Sequence, residues 1–462
     1  MGQSYDEYIE TVARYDRKVT ELTSTADSTK RVVITGFGVI SPIGCDLDTF
    51  RSSLDQGKSG IGKLELIPEK SIPVENGAEV KAFSGDIENY GPLEKTLQRN
   101  IRKGQKVMCR EIEMGVAACQ HALHHSGLHE GIRNPERTGI VYGSDYILTR
   151  PEEYIDGMIA CRDSDGHVEV EEWPEKGIPN VNPLWLLKYL PNMPASHVAI
   201  YNDLRGPSNS ITIREASNNL SIAEAVAAIR RGVADAMVVG STGCFIHPLR
   251  AIHASGQVTL AKDRANPAEM SRPFDRDRDG VVLGEGAGAM TIESLEHARA
   301  RGAKIYGEIL GGAASAVGAT TGRDYIRMAV GNVLRTLQER FPEFFRNAWH
   351  LHASGRGEIE KDRSEAGGVV DAFGDASSKI PVFAGKSYFG NLGAGGAAVE
   401  LIASCMAMEK GSLFATLNYQ TPDPECPLFV APKGTPAGQG FVHMSYSPQG
   451  QASAVLVRRF EE

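Results

Sequence analysis

The chain has 462 residues, 41% hydrophobic and 23% charged, with a net charge of −9. That length suits two or three domains or one large α/β body, and no stretch nears the roughly 20 unbroken apolar residues of a membrane span. Lys and Arg are scattered, so the basic stripe of a nucleic-acid binder is absent and no local patch for an acidic partner stands out.

Residues 1–30 carry Tyr5, Tyr8, Val12, Tyr15, Val19 and Leu22 at alternating spacings of three and four, followed by "STADSTK". This predicts an N-terminal helical arm packed on its own body, since three heptads associate weakly. The N-terminus has no apolar h-region and no small-residue cleavage site, so no export signal is expected and the localisation read here is cytoplasmic. The seven cysteines fall at irregular spacings with no C-x-x-C pair, which fits reduced thiols rather than a zinc site or a disulfide framework.

The body begins at "RVVITGFGVISPIG", a buried-strand pattern that runs into a Gly-rich turn. Strand-like segments recur at "RTGIVYGS", "ADAMVVGST", "GAGAMTIES", "AKIYGEILGG", "IPVFAGKS" and "QASAVLVRRF", with helix-like runs at 111–126, 216–231 and 325–340. The alternation predicts α/β layering around a largely buried sheet. Residues 151–182 are polar, acidic and weakly periodic, and read as an inserted excursion.

Within "SITIREASNNLSIAEA" a strand-like run stops at Glu215 and a helix-like run follows from Ala216 to Ile229. Strand, abrupt turn and helix present one side chain at the top of a sheet, usually a nucleophile. A carboxylate is a poor nucleophile for acyl chemistry.

Three other features point away from cofactors. "GEGAGAM" (284–290) has a phosphate-loop rhythm but no following Lys-Ser/Thr pair, and reads as close packing in a buried strand. In "SRPFDRDRDG", Arg272, Arg276 and Arg278 alternate with Asp275, Asp277 and Asp279, as in an internally paired turn. His121, His124, His125, His247 and His253 lack metal-ligand spacing, so no metal and no cofactor are expected.

The segments "VVITGFGVISPIG", "FRSSLDQGKSGI", "LRGPSNSI", "SRPFDRDRDGVVLGEGAGAM", "EHARARGAKIYGEI" and "GKSYFGNLGAGGAAVE" together resemble the β-ketoacyl-[acyl carrier protein] synthases of fatty acid and polyketide synthesis, in order from about Arg31 to the C-terminus. The resemblance implies a thiolase-type five-layered α/β fold of two similar halves, 31–290 (with the insertion at about 151–182) and 291–462, and a dimer. It also implies a Cys nucleophile at the start of a buried helix, two His residues, a Lys and a Gly-Phe-Gly-Gly loop. Here Glu215 stands at the Cys position, Ser354 of Ala353-Ser354-Gly355 at the first His, and Asn391 at the second. Lys386 matches the family's lysine, and Asp362 and Glu365 keep its acidic pattern. In "SYSPQGQA" Pro448 takes the Phe position, whose N–H is an oxyanion-hole donor in the family, and Ser447 and Gln449 take glycine positions. Proline has no N–H to give, and losing one such donor typically costs ~10²–10³ in rate.

A carboxylate is favoured at a helix N-terminus, and Lys386 is its expected ion-pair partner, with Arg214 competing. The motif losses resemble most a non-elongating, chain-length-factor-like subunit paired with an active ketosynthase and serving an acyl carrier protein with its phosphopantetheine-bound acyl chain. Two alternatives stand beside it. One is an enzyme of atypical acyl chemistry with Glu215 as general base or nucleophile, assisted by Asp362, Glu365 or His352, although His352 and His350 read more readily as packed or surface histidines. The other is a homodimeric acyl-carrier-binding module.

Overall fold

Most of the strands are buried along their whole length, as a sheet covered on both faces requires, while the edge strand Ser208–Thr212 is polar and partly exposed. The strands are β1 (Val32–Ile40), β2 (Thr138–Ser144), β3 (Ser208–Thr212), β4 (Ala236–Cys244), β5 (Glu285–Ser294) and β6 (Gly307–Ala316). Then follow β7 (His350–His352), β8 (Pro381–Phe383), β9 (Phe429–Val430), β10 (Gly440–Tyr446) and β11 (Gln451–Arg458). This computed structural model describes residues 30–461 except 69, 71, 130, 320 and 321, so the N-terminal arm, Lys30 apart, lies outside the described residues.

One sheet holds all eleven, in the order β9-β8-β7-β10-β11-β6-β1-β5-β4-β2-β3. Counted within each half, β1 to β5 and the set β6, β7, β8, β10, β11 give the same order, third-second-fourth-fifth-first. The directions match too: first, fifth and fourth are antiparallel neighbours, while fourth, second and third run parallel. The halves meet where β1 pairs antiparallel with β6, and β9 adds an extra edge beside β8. β5 runs through the 290/291 point at which the sequence reading divides the chain, and the second set of strands begins with β6.

The helices used below are α1 (Leu47–Gln56), α2 (Lys95–Gly104), α3 (Arg110–His125), α4 (Met193–Asn202), α5 (Ser217–Arg230), α6 (Pro248–Ser255), α7 (Tyr325–Arg340), α8 (Ile359–Phe373) and α9 (Ala394–Lys410). α3 and α4 cover the outer face of the first half, and α7 and α8 that of the second. α5 and α9 pack on each other and touch strands of both halves, which makes the central layer of a five-layered fold. Close approach there explains the glycines of "GEGAGAM". A Cβ on Gly288 of β5 would stand 2.7 Å from Ala398 Cβ, and one on Gly395 would stand 2.1 Å from the Gly286 carbonyl oxygen.

Residues 151–182 form short 3-10 and π turns and one brief helix, Ile155–Ala160, in keeping with their weak periodicity. The "SRPFDRDRDG" segment is only partly self-paired. Arg272 bonds Asp275 and Arg276 bonds Asp277, but Arg278 turns inward to Asp423 (2.6 Å) and Asp362 (3.7 Å), and Asp279 meets Arg264. Among the described residues, no helix is long and apolar enough to cross a membrane.

Candidate active site

Glu215 stands where β3 gives way to α5. Arg214 takes a left-handed backbone, φ +51°, to make the turn, a conformation that non-glycine residues adopt at a cost. The turn is held on three sides. The Ser217 hydroxyl accepts from the Ile213 N–H (2.8 Å) and donates to the Ser144 carbonyl (3.0 Å). Ser445 and Ser453, a cross-strand pair on β10 and β11, donate to the carbonyls of Glu215 and Ala216, each at 2.9 Å. So the second half of the sheet fixes the backbone on which the first half presents Glu215.

The Glu215 carboxylate is 1% exposed. Its Oε1 accepts from Arg356 Nη1 at 2.7 Å and from Asn391 Nδ2 at 3.2 Å. Its Oε2 lies 3.8 Å from Arg214 Nε and has no hydrogen-bond partner. Burial pushes the acid's pKa up, but Arg356 and then Arg214 outweigh burial and hold it down at about 2. The expected partner was Lys386, and the structure corrects this: the cation is Arg356, with Arg214 second.

Lys386 has its own anion. Its Nζ bonds the Glu400 carboxylate and donates to the Ser354 carbonyl (3.0 Å) and hydroxyl (3.4 Å). The second Glu400 oxygen meets His443 Nε2 at 3.2 Å, and His443 Nδ1 meets Asn219 Oδ1 of α5 at 2.9 Å. Glu400 lies on α9, and Lys386 opens the short helical turn before it, so one carboxylate near the start of α9 takes the lysine before Glu215 can.

Arg356 is delivered by the loop Ser354–Glu358, which turns on Gly355 (φ +46°) and Gly357 (φ +80°). Asp362 and Glu365, in the first turns of α8, clamp this loop by its backbone. Asp362 accepts the N–H groups of Arg356, Gly357 and Phe274, and Glu365 those of Ser354 (2.6 Å) and Gly355 (2.9 Å). Burial raises both acids, Asp362 to about 6 and Glu365 to about 8, the latter also through the neighbouring Asp362 charge. Their work is to shape the loop that carries Arg356, and they make no hydrogen bond to Glu215.

The remaining candidates divide. Asn391 reaches Glu215, and its Oδ1 accepts the Gly393 N–H. Ser354 belongs to the lysine cluster. Pro448 lies in a tight turn closed by Gly450 N–H to the Ser447 carbonyl (3.1 Å), with Gly450 at φ +90°, and its own carbonyl accepts from Tyr325 of α7 (3.0 Å). Proline's fixed φ suits the second position of such a turn. His352 and His350 are packed and spent. The Gly385 N–H donates to His352 Nε2, and the Ser404 hydroxyl bridges His352 Nδ1 and His350 Nε2. Burial pushes both rings below the usual histidine range, and neither ring bonds Glu215.

Family models described as "Beta-ketoacyl synthase, N-terminal domain" and "Beta-ketoacyl synthase, C-terminal domain" match residues 29–298 and 308–420. The chain belongs to the β-ketoacyl synthase family. A 3-oxoacyl-[acyl-carrier-protein] synthase 2 from a Synechocystis strain is 31% identical over 409 residues, 87% of this chain and 91% of that protein. A protein of the same name from Staphylococcus aureus is 31% identical over 411 residues, again 87% and 91%. Among solved structures, a β-ketoacyl synthase from Burkholderia phymatum superposes with TM-score 0.79 at 23% identity, over 94% of this chain and 100% of that one. The ishigamide ketosynthase/chain length factor superposes with TM-score 0.76 at 25% identity, over the same shares. The five-layered frame found above is the fold of these synthases, and fatty acid or polyketide synthesis is the chemistry of the family.

Two features of this β-ketoacyl synthase chain escaped the sequence reading. Arg356 is one; its signal was a lone arginine between two glycines, directly after a buried strand. The other is α2, on which and just beyond which Lys95, Arg99, Arg102, Lys103 and Lys106 are all exposed. Spacings of three and four residues gather much of that charge on one side of the helix.

Proposed function

We propose that this chain is a non-elongating member of its family, a chain-length-factor-like subunit that pairs with an active ketosynthase and meets an acyl carrier protein. The observation that carries the reading is the Glu215 carboxylate, at the position of the family's Cys, buried and bonded to Arg356 and Asn391. A general base works best with a pKa near the working pH, and an acid held at about 2 by two arginines is far from it. A carboxylate nucleophile is weakened as well, because Arg356 at 2.7 Å and Arg214 at 3.8 Å hold its charge. Ser354 and Asn391 at the two His positions, and Pro448 without an N–H, support the same reading.

Two surfaces support the partners. β3 is the last strand of the sheet, and its outer edge is unpaired among the described residues. Open edges invite pairing with another chain. Next to it α4 packs on β3, and Ile200 of α4 is 73% exposed. An apolar group so bare beside an open edge fits a subunit interface, here with a ketosynthase or, when the chain is alone, with a second copy. The cationic helix α2 fits an acidic, phosphate-bearing carrier on an otherwise acidic protein.

The experiment is an acylation and condensation assay of the purified chain, with mass spectrometry of the intact protein, alone and co-produced with a Cys-His-His ketosynthase. The expected result is no acyl adduct and no condensation by the chain alone, no rescue by Glu215→Cys, and a stable heterodimer burying more than about 2,000 Å². Turnover by the chain alone would refute the reading.

A further inference from the structure

A second buried polar site lies beside Glu215 and is joined to it through Asp145. The Asp145 carboxylate accepts from Arg250 Nη2 of α6 at 2.5 Å and lies 3.3 Å from Arg214 Nε, so one anion links Arg250 to the arginine that touches Glu215. The Arg250 guanidinium stacks between two rings, 4.0 Å from the Tyr146 centroid and 4.9 Å from that of Phe245. It is buried, yet its Nε and Nη1 have no hydrogen-bond partner.

A cavity of about 30 Å³ adjoins Arg250, walled also by Glu111, His247, Arg150, Ile147 and Leu148. Glu111 Oε1 and His247 Nε2 are likewise buried and unpartnered. The Arg250 backbone N–H donates to His247 Nδ1 (3.4 Å), which leaves the proton of the neutral ring on Nε2 as a free donor. Four orphan polar atoms on three residues that line one space call for a guest, because an unmade hydrogen bond on a buried polar group costs about 1–3 kcal/mol. The space exceeds the roughly 10–15 Å³ that one water needs.

Donors predominate. Arg250 offers two unpartnered nitrogens and His247 one, and burial pushes the Glu111 acid well above the usual carboxylate range. Asp145 takes only the Nη2 end of Arg250, so the Nε and Nη1 edge of the guanidinium is left for an acceptor in the cavity. The apolar flanks of Ile147 and Leu148 disfavour a multivalent, strongly hydrated ion. We propose that this cavity binds a monovalent anion of halide or formate size, held between Arg250 and His247. The inference does not depend on the carrier or the ketosynthase partner.

The test uses the full-length chain in solution and in crystals. ¹³C-formate titrated against the protein should give saturable line broadening that bromide or chloride reverses, and crystals grown in bromide should show an anomalous peak in the cavity. Formate binding without halide competition would mark the site as a carboxylate site, and a halide peak without formate binding as a halide site. Arg250→Lys, which keeps the charge on Asp145, and His247→Phe should each weaken binding about tenfold or more, while Glu111→Gln should retain it. Binding that survives both of the first two substitutions, or the absence of both saturation and the bromide peak in wild type, would overturn the proposal. If a variant does not fold, the two wild-type measurements still decide.

Discussion

Two buried ion pairs lie in and beside the central layer, and they differ in how fully they are satisfied. Lys386 bonds Glu400 and both oxygens of Ser354, and His443 takes the remaining Glu400 oxygen. Glu215 gives one oxygen to Arg356 and Asn391 and leaves the other without a hydrogen bond. The carboxylate at 215 is therefore balanced by a cation from a separate loop, while the lysine keeps an anion of its own. A charge placed at the start of α5 has not been grafted onto the existing pair; it has a second pair, which can be broken independently.

The largest expected effect follows from that independence. Arg356→Ala removes the hydrogen-bonded cation from a buried carboxylate, leaving it Asn391 and the more distant Arg214, and should cost ~3–5 kcal/mol in denaturant unfolding. Glu215→Ala combined with Arg356→Ala should recover part of the loss, since Glu215 then needs no partner and only Glu358, 3.3 Å from Arg356 Nε, still loses one. Lys386→Met should cost less, roughly 1.5–3 kcal/mol, because His443 remains on Glu400. Smaller still is the coupling between the two pairs: the effects of Glu215→Ala and Lys386→Met should add to within about 0.5 kcal/mol. A coupling of several kcal/mol there would restore the Glu215–Lys386 pairing that the structure replaces.

The pH dependence sharpens the comparison between Glu215 and the acids that clamp its partner's loop. Glu215 is depressed from an ordinary 4.5 to about 2, so its contribution is present above 4.5 and is lost as pH falls towards 2. Glu365 is raised from 4.5 to about 8, so its contribution is present below 4.5 and is lost as pH rises through 8. Unfolding measured across this range should therefore show an acid limb that Glu215→Gln flattens and an alkaline limb that Glu365→Gln flattens. The reverse assignment of limbs would contradict the geometry of both sites.

Much of the frame was legible in the chain because it rests on local periodicity. The runs that became β1, β4 and β5 are rich in Val, Ile, Ala, Met and Gly, and 111–126, 216–231 and 325–340 became α3, α5 and α7 within a residue or two. Glu215 at the strand-to-helix turn was legible for the same reason. Its partner was not, because an ion pair between residues 141 positions apart depends on how two halves of a sheet close on one another. Lys386 looked free for want of any local sign that Glu400, 14 residues on, would face it. The cations on and after α2 were visible at helical spacing, but a net charge of −9 hid them when charge was read over the whole chain.

The claim on which the rest depends is that Glu215 is a fixed, ionised structural carboxylate. The direct measurement is its own titration, followed as the carboxyl carbon resonance in ¹³C-Glu-labelled protein and assigned by comparison with Glu215→Gln. With Arg356 and Arg214 holding the acid near 2, the resonance should stay at its ionised position from about pH 8 down to about pH 4. A titration step between about pH 5 and pH 8, the range a working general base requires, would contradict the account and make Glu215 a catalytic group.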